Sequence, residues 1–153
     1  MLSAIREVDE RVSAGSLPVR DASLLKEYLL TLQAERGLSD RGLLTEFRMI
    51  VVWCRYLTLT TMTTGDIMDA KMQMDARGLK RNTMRGYLYK FLRFARWCAQ
   101  EKGMTGIDVV RLDLLWESNG DSHSATFCHH WQTFCYYTII NILCPTMHHN
   151  KPK

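Results

Sequence analysis

The segment 78–99 constrains the fold most strongly, because its apolar residues recur at helical spacing while all of its charges are positive. The apolar positions share one face, which we predict to be buried: Met84, Leu88, Phe91, Leu92, Ala95 and Cys98. The cations are Lys80, Arg81, Arg85, Lys90, Arg93 and Arg96, with no carboxylate among them. An acid-free cationic face suits contact with a phosphate backbone, whereas a solvated basic face is the common alternative.

Length and composition allow one globular domain with room for a tail, since the chain has 153 residues, 46% of them hydrophobic and 24% charged. The net charge of +4 is modest, so the positive charge is local. No run approaches the roughly 20 apolar residues of a membrane span, and the first 15 residues lack the apolar core of a secretory signal. Two of the five cysteines, Cys54 and Cys98, lie in apolar helical patterns. We therefore predict a reduced, cytoplasmic protein without membrane association.

Helical periodicity before residue 117 predicts an all-α fold of four to five helices. The predicted helices span about 22–36, 41–57, 65–77 and 81–101, with shorter ones at 5–14 and 108–116. Asp21 or Ser23 is the predicted cap of the helix at 22–36, and Thr64 the predicted cap of the helix at 65–77. Glycines at the usual position after a helix are Gly37, Gly78 and Gly103.

The composition changes after Asp121, because residues 122–150 contain no Asp, Glu, Lys or Arg and hold all five histidines. We therefore predict an N-terminal extension at 1–20, a helical domain at 21–117 and an irregular Cys/His-rich tail at 118–153. The tail's candidate metal ligands are Cys128, His129, His130, Cys135, Cys144, His148 and His149. They lack the paired spacing of a zinc site, so we predict neither a metal nor a cofactor.

An ordered set of short motifs covers about half of the chain. It comprises LLKEYLL at 24–30, RGLS at 36–39, WCRYL at 53–57, MTTGDI at 62–67 and RGLKRNTMRGYL at 77–88. In this order they resemble the core-binding domain of tyrosine recombinases, the phage-integrase and Xer-like enzymes. The resemblance implies a SAM-like helical bundle that clamps one side of duplex DNA.

The catalytic half of that family has no counterpart in this sequence. Family catalysis uses a tyrosine nucleophile with arginines, a lysine and histidines, but no arginine follows Arg111 here. We therefore expect a truncated DNA-binding module of a DNA integration and recombination enzyme, without catalytic residues. The resemblance leaves open a recombinase-like protein partner.

The predicted DNA-binding residues lie on two helices. On the basic helix they are Lys80, Arg81, Asn82, Arg85, Tyr89, Arg93 and Arg96, and on the helix before it they are Arg48 and Arg55. Arg48 and Arg55 belong to a stripe with seven-residue spacing that begins at Arg41, and two positive stripes favour double-stranded DNA as the partner. The alternative is a small helical interaction domain whose basic face binds an acidic protein.

Overall fold

The computed structural model describes residues 2–117, in which helices are the only regular secondary structure. The helices are α1 (Ser3–Ser13), α2 (Val19–Arg36), α3 (Asp40–Val51), α4 (Thr64–Ala76), α5 (Arg81–Glu101) and α6 (Val109–Glu117), and a 3₁₀ turn (Val52–Arg55) follows α3. The all-α prediction is confirmed for this part of the chain. None of these helices is long and apolar enough to cross a membrane. The predictions for 118–153, including those on metal and cofactor binding, lie outside the described residues.

The core forms around the apolar face of α5, which is buried as predicted. The indole of Trp53, in the 3₁₀ turn, stacks on the ring of Phe91 with 4.2 Å between centroids. Tyr28 of α2 meets Phe94 edge to face at 5.1 Å. These aromatic contacts join α2, the end of α3 and α5 into one core, in which Trp53, Phe91 and Phe94 have no exposed surface.

The predicted cap of α2 is wrong. The helix begins at Val19, after Pro18, so Asp21 lies within its first turn. Its buried carboxylate accepts hydrogen bonds from the backbone N–H groups of Leu59 and Thr60, at 3.1 and 3.0 Å. Asp21 therefore stabilises a connector 38 residues away rather than its own helix terminus.

The predicted cap of α4 is wrong by one residue. The hydroxyl of Thr63, not Thr64, accepts from the N–H of Asp66, and the Asp66 carboxylate accepts in return from the N–H of Thr63 at 2.8 Å. This is a capping box. The buried Thr64 instead joins α4 to α6, because its hydroxyl accepts from the N–H of Asp108 at 2.7 Å and its N–H donates to the Gly106 carbonyl at 3.0 Å.

Helix α3 is shorter than predicted, while the predicted glycine ends are confirmed. The α-helix stops at Val51 and tightens into the 3₁₀ turn, where Val51 and Val52 are adjacent β-branched residues with lowered helix propensity. The glycines after α2, α4 and α5 all have positive φ, with values of 60°, 71° and 62°. A left-handed residue at this position ends a helix without a steric penalty when it is glycine.

Helix α1 falls within the predicted N-terminal extension and packs against α2 and α3. Ala4 and Val8 have no exposed surface. The N–H and hydroxyl of Ser3 donate to the Asp40 carboxylate at 2.7 and 2.5 Å, and these bonds lower the pKa of Asp40. Residues 2–117 therefore belong to one packed unit.

Candidate nucleic-acid interface

The cationic surface of α5 runs between α3 and α6. A Cβ atom added at Gly86 would lie 3.8 Å from the methyl carbon of Met49 on α3, so α5 approaches α3 closely here. On the other side, the ring of Tyr89 lies 5.9 Å from the indole of Trp116 on α6. The predicted interface is therefore a strip of one helix with a neighbouring helix along each edge.

The first part of this strip is exposed and free of acids. Residues 76–86 contain four cations, Arg77, Lys80, Arg81 and Arg85, and no carboxylate. Lys80, Arg81 and Asn82 are exposed. We call Lys80, Arg81, Asn82 and Arg85 the entry surface, because they lie where α5 begins.

The start of α5 adds its own positive potential. Lys80 occupies the N-cap position, its side chain makes no capping hydrogen bond, and the first turn contains no acidic residue. The first N–H groups of a helix have no acceptor within the helix, and together they favour a negative charge nearby. The cationic side chains and the helix N-terminus thus both attract a negatively charged ligand.

An aromatic pair lies next to the entry surface. The Arg85 guanidinium is 5.7 Å from the centre of the Trp116 ring. The cations of Arg93 and Lys90 are 5.8 and 5.7 Å from the centre of the Tyr89 ring. Both aromatic residues are partly exposed, and Trp116 had not been predicted as a site residue.

Arg93, a predicted DNA contact, lies in a buried charge cluster. Its side chain is only 13% exposed, and its guanidinium is 2.5 Å from the carboxylate of Glu46, which is 1% exposed. The Nζ atom of Lys90 lies 2.8 Å from the same carboxylate. The Nε–H of Arg93 also donates to the hydroxyl of Tyr28 at 3.2 Å. We call Glu46, Lys90, Arg93 and Tyr28 the Glu46 cluster. Within it, the Arg93 guanidinium contacts Glu46 and Tyr28, so its role is in the fold.

Burial and charge set the protonation states in the Glu46 cluster. Burial, together with the negative charge of Glu46, raises the pKa of Tyr28, so the phenol stays protonated. Burial alone would lower the pKa of Arg93, but Tyr28 and Glu46 outweigh it and raise that pKa. The guanidinium therefore keeps its charge and needs its carboxylate partner.

The remaining cations in the second part of α5 also meet carboxylates of other helices. Arg96, another predicted DNA contact, forms an ion pair with Asp113 of α6. Lys102, just after α5, forms an ion pair with Glu27 of α2 and lies 5.3 Å from the Trp97 ring centre. Both side chains are less than one-third exposed. The second half of the predicted interface is thus largely neutralised.

The two supporting arginines have different surroundings. Arg48 is 61% exposed and pairs with Glu7 of α1 at 2.9 Å. Partial burial opposes the charge of Glu7, but bonds from Arg48 and Arg11 lower its pKa overall. Arg55 is exposed at the end of the 3₁₀ turn. The next residue, Tyr56, has the Arg77 guanidinium 5.5 Å from its ring centre, so Arg77 belongs near the predicted set although it was not included.

The sequence contained an indication that Glu46 forms a buried ion pair, and the sequence-based prediction missed it. Glu46 lies among Leu43, Phe47 and Ile50, whose spacing defines the buried face of α3. A carboxylate on such a face needs a cationic partner. That requirement indicates an ion pair with a neighbouring helix, and α5 is the helix richest in cations.

The described residues show neither a thiolate at neutral pH nor a cluster of metal ligands. Burial raises the pKa values of the Cys54 and Cys98 thiols to about 12, so both remain protonated at neutral pH. No group of three metal-ligating side chains occurs in residues 2–117.

No protein family model matches the chain, and no curated protein or solved structure matches it significantly. The relation to tyrosine recombinases stays a prediction from the motifs.

Proposed function

We propose that this chain binds duplex DNA through the entry surface of α5. The observation that carries the proposal is the difference in charge along one helix. Residues 76–86 combine four cations with no acid, at a helix start where Lys80, Arg81 and Asn82 are exposed. The later cations, Lys90, Arg93, Arg96 and Lys102, are less exposed and form ion pairs with Glu46, Asp113 and Glu27.

The chemistry of the entry surface suits phosphate groups. Lysine and arginine contribute charge, the amide of Asn82 is a further donor, and the uncapped backbone N–H groups point along the helix axis. Such contacts position DNA and carry little sequence information. If Arg77, Lys80, Arg81 and Arg85 each neutralise a phosphate, the logarithm of the binding constant falls against the logarithm of salt with a slope of about −3.6.

The more specific form of this proposal is a recombinase-type DNA-binding module. The motif RGLKRNTMRGYL at 77–88, which carries part of the resemblance, contains the whole entry surface. A SAM-like arrangement of the helices belongs to the same proposal. Residues 112–153 contain no arginine that could stabilise a transferring phosphoryl group, so what we propose for these 153 residues is DNA binding and not DNA cleavage.

A second candidate function is binding of an acidic protein. The ion pairs of Arg96 with Asp113 and of Lys102 with Glu27 favour it, because cations in and just after α5 already donate to carboxylates. A carboxylate-rich partner would extend the same chemistry to the entry surface. The two candidates differ in the ligand that the entry surface prefers.

The experiment compares two variants with equal loss of charge. Lys80→Gln with Arg81→Gln removes two entry-surface cations, whereas Arg6→Gln with Arg20→Gln removes two exposed cations from α1 and α2. Fluorescence anisotropy with a labelled duplex of about 20 base pairs is measured over a series of salt concentrations. We expect the first variant to bind about tenfold more weakly at low salt and to lose about two units of slope. The second variant should bind like the wild type.

Circular dichroism and thermal melting verify that both variants fold. Equal binding by the two variants would contradict the proposal. Tighter binding of a polyglutamate peptide than of the duplex, with the same loss in the Lys80/Arg81 variant, would establish the acidic-partner function instead.

A further inference from the structure

The ring of Tyr56 lies under the guanidinium of an exposed arginine close to the entry surface. The Arg77 guanidinium is 5.5 Å from the centre of this ring. Tyr56 directly follows the 3₁₀ turn, and Arg77 occupies the C-cap position of α4. The contact therefore joins the end of α4 to the chain that follows α3, just before α5 begins.

The fold holds the Tyr56 ring in place. Tyr56 is partly buried and packs against the core, and its backbone N–H donates to the Trp53 carbonyl at 2.9 Å. Arg77, by contrast, is exposed, while α4 is docked through the fully buried Ile67 and Met74. Because cation–ring contacts at exposed sites are weak, this contact adds little to the docking of α4.

No carboxylate competes for Arg77 within residues 2–117. The nearest acid before it in the sequence, Asp75, forms an ion pair with Lys71 at 2.7 Å. Residues 76–86 contain no acid at all. The charge of Arg77 is thus available to an anion from outside the chain.

Arg77 also lies within reach of the same ligand as the entry surface. It precedes Lys80 by three residues, so the two Cα atoms are at most about 11 Å apart. Gly78, with a φ of 71°, turns the chain between them. Each strand of duplex DNA carries a charge about every 3.4 Å along the helix axis, so one short stretch of backbone can meet both cations.

We propose that Tyr56 is a positioning residue of the DNA interface, which holds Arg77 ready for a phosphate group. The inference rests on the proposed DNA-binding function and adds the end of the 3₁₀ turn to the interface. A long arginine side chain loses rotamer freedom when a ligand fixes it, and a side chain already held over a ring loses less. A guanidinium over a ring keeps its N–H donors in its own plane, where phosphate oxygens can accept from two of them.

The test measures anisotropy with a labelled duplex for single and double variants of the full chain. Arg77→Gln should weaken binding about threefold, because one phosphate contact is lost. Tyr56→Leu keeps every charge and should still weaken binding about twofold, as expected for the loss of a cation–ring contact at an exposed site. Added to Arg77→Gln, it should have no further effect. The matched control Tyr56→Phe keeps the ring and should bind like the wild type.

Two further measurements distinguish positioning from a structural role. Thermal melting is recorded for every variant. In NMR spectra of the free protein, the ring current of residue 56 should displace the Nε–H resonance of Arg77 in the wild type and Tyr56→Phe, but not in Tyr56→Leu. If the leucine variant melts early, the wild-type spectrum stands as the test, since adding the duplex should move the Arg77 resonance. An unmoved resonance overturns the inference.

The binding outcomes separate the two proposals. Wild-type affinity in Tyr56→Leu overturns the positioning role and leaves duplex binding in place. A loss that recurs in the Arg77→Gln background overturns it too, because Tyr56 would then act on something other than Arg77. Failure of the wild type itself to bind the duplex overturns the proposed function, and with it the inference that rests on it.

Discussion

The two halves of α5 have similar compositions and opposite surroundings. Lys80 and Arg81, where the helix begins, are exposed, whereas Lys90, Arg93 and Arg96 are at most 28% exposed and form ion pairs with carboxylates of α3 and α6. A helical wheel places Arg81 and Arg93 at the two edges of one polar arc, about 120° apart, yet of the two only Arg81 is exposed. The positive charge that a helix exposes to solvent therefore depends on which carboxylates of other helices pack against its cations.

The ion pairs of the second half also differ in energy. The pair of Arg93 with Glu46 is almost entirely buried, so removing either partner leaves a charge without compensation. The pair of Arg96 with Asp113 is more exposed, and pairs of that kind contribute little to stability. The second half of α5 therefore contains one contact that the fold requires and others that it tolerates losing.

The largest expected effect comes from Glu46→Gln, which removes the carboxylate shared by Arg93 and Lys90. We expect the free energy of unfolding to fall by about 3–5 kcal/mol, because both cations lose their buried partner. Urea denaturation measures the change. Glu10→Gln is the control, since the side chain of Glu10 is 66% exposed and should matter by less than about 0.5 kcal/mol. A small change for Glu46→Gln would mean that the two halves do not differ as described.

A smaller effect, of opposite sign, is expected for Lys80→Asp. An aspartate at the N-cap of α5 can accept from N–H groups of the first turn, where the Lys80 side chain makes no capping hydrogen bond, and should stabilise the fold by about 1 kcal/mol. The same change places an acid on the entry surface, so DNA binding should weaken. Thermal melting and anisotropy measure the two effects, and Lys80→Gln, which cannot cap as well, should weaken binding without the gain in stability. Tighter DNA binding by Lys80→Asp would count against the entry surface.

Arg96→Gln should have a still smaller effect on both properties. Its partner Asp113 is about half exposed, so we expect a loss of less than about 1 kcal/mol in stability. Duplex affinity should change by less than about twofold, because the Arg96 side chain is only 28% exposed, whereas Arg81 is exposed and Arg81→Gln should weaken binding clearly. Equal losses of affinity in the two variants would restore the whole face of α5 as the interface.

The smallest effect concerns pH at the two helix starts. Bonds from the Thr63 hydroxyl and N–H lower the pKa of Asp66, so its carboxylate stabilises α4 at neutral pH. This contribution is complete above the unfolded pKa of about 4 and is lost as the pH falls through the lower folded value. The first turn of α5 contains no acid and should not respond. Amide exchange at pH 5 and pH 3 should show that acidification speeds the opening of the α4 start and leaves the α5 start unchanged, and Asp66→Asn should abolish this difference between the two starts.

Local patterns were sufficient to predict the helices and the buried face of α5. The 21 residues of α5 repeat one period, and a glycine lies close to each end. The caps were predicted less well, because the choice between Thr63 and Thr64 depends on where Asp66 and Asp108 lie. Local signals located the helix starts only approximately, and the largest difference is at α2, which was predicted to begin at about residue 22 and begins at Val19.

The candidate site was predicted in composition but not in extent. Sequence spacing alone put Arg81 and Arg93 in one set. Their separation depends on Glu46, which is far from α5 along the chain and meets it only after folding. Trp116 was missed for the same reason, since its ring joins the surface through the packing of α6 on α5.

The link between α4 and α6 allows a small tilt of α6 to produce a larger displacement at its far end. Thr64 fixes the start of α6 at Asp108, and Trp116 lies eight residues further on, about 12 Å along the helix axis. A tilt of about 5° at the fixed end therefore moves the Trp116 ring by about 1 Å. Substitutions at Thr64, which lies at the start of α4 and outside the entry surface, should for this reason change the geometry between Trp116 and Tyr89.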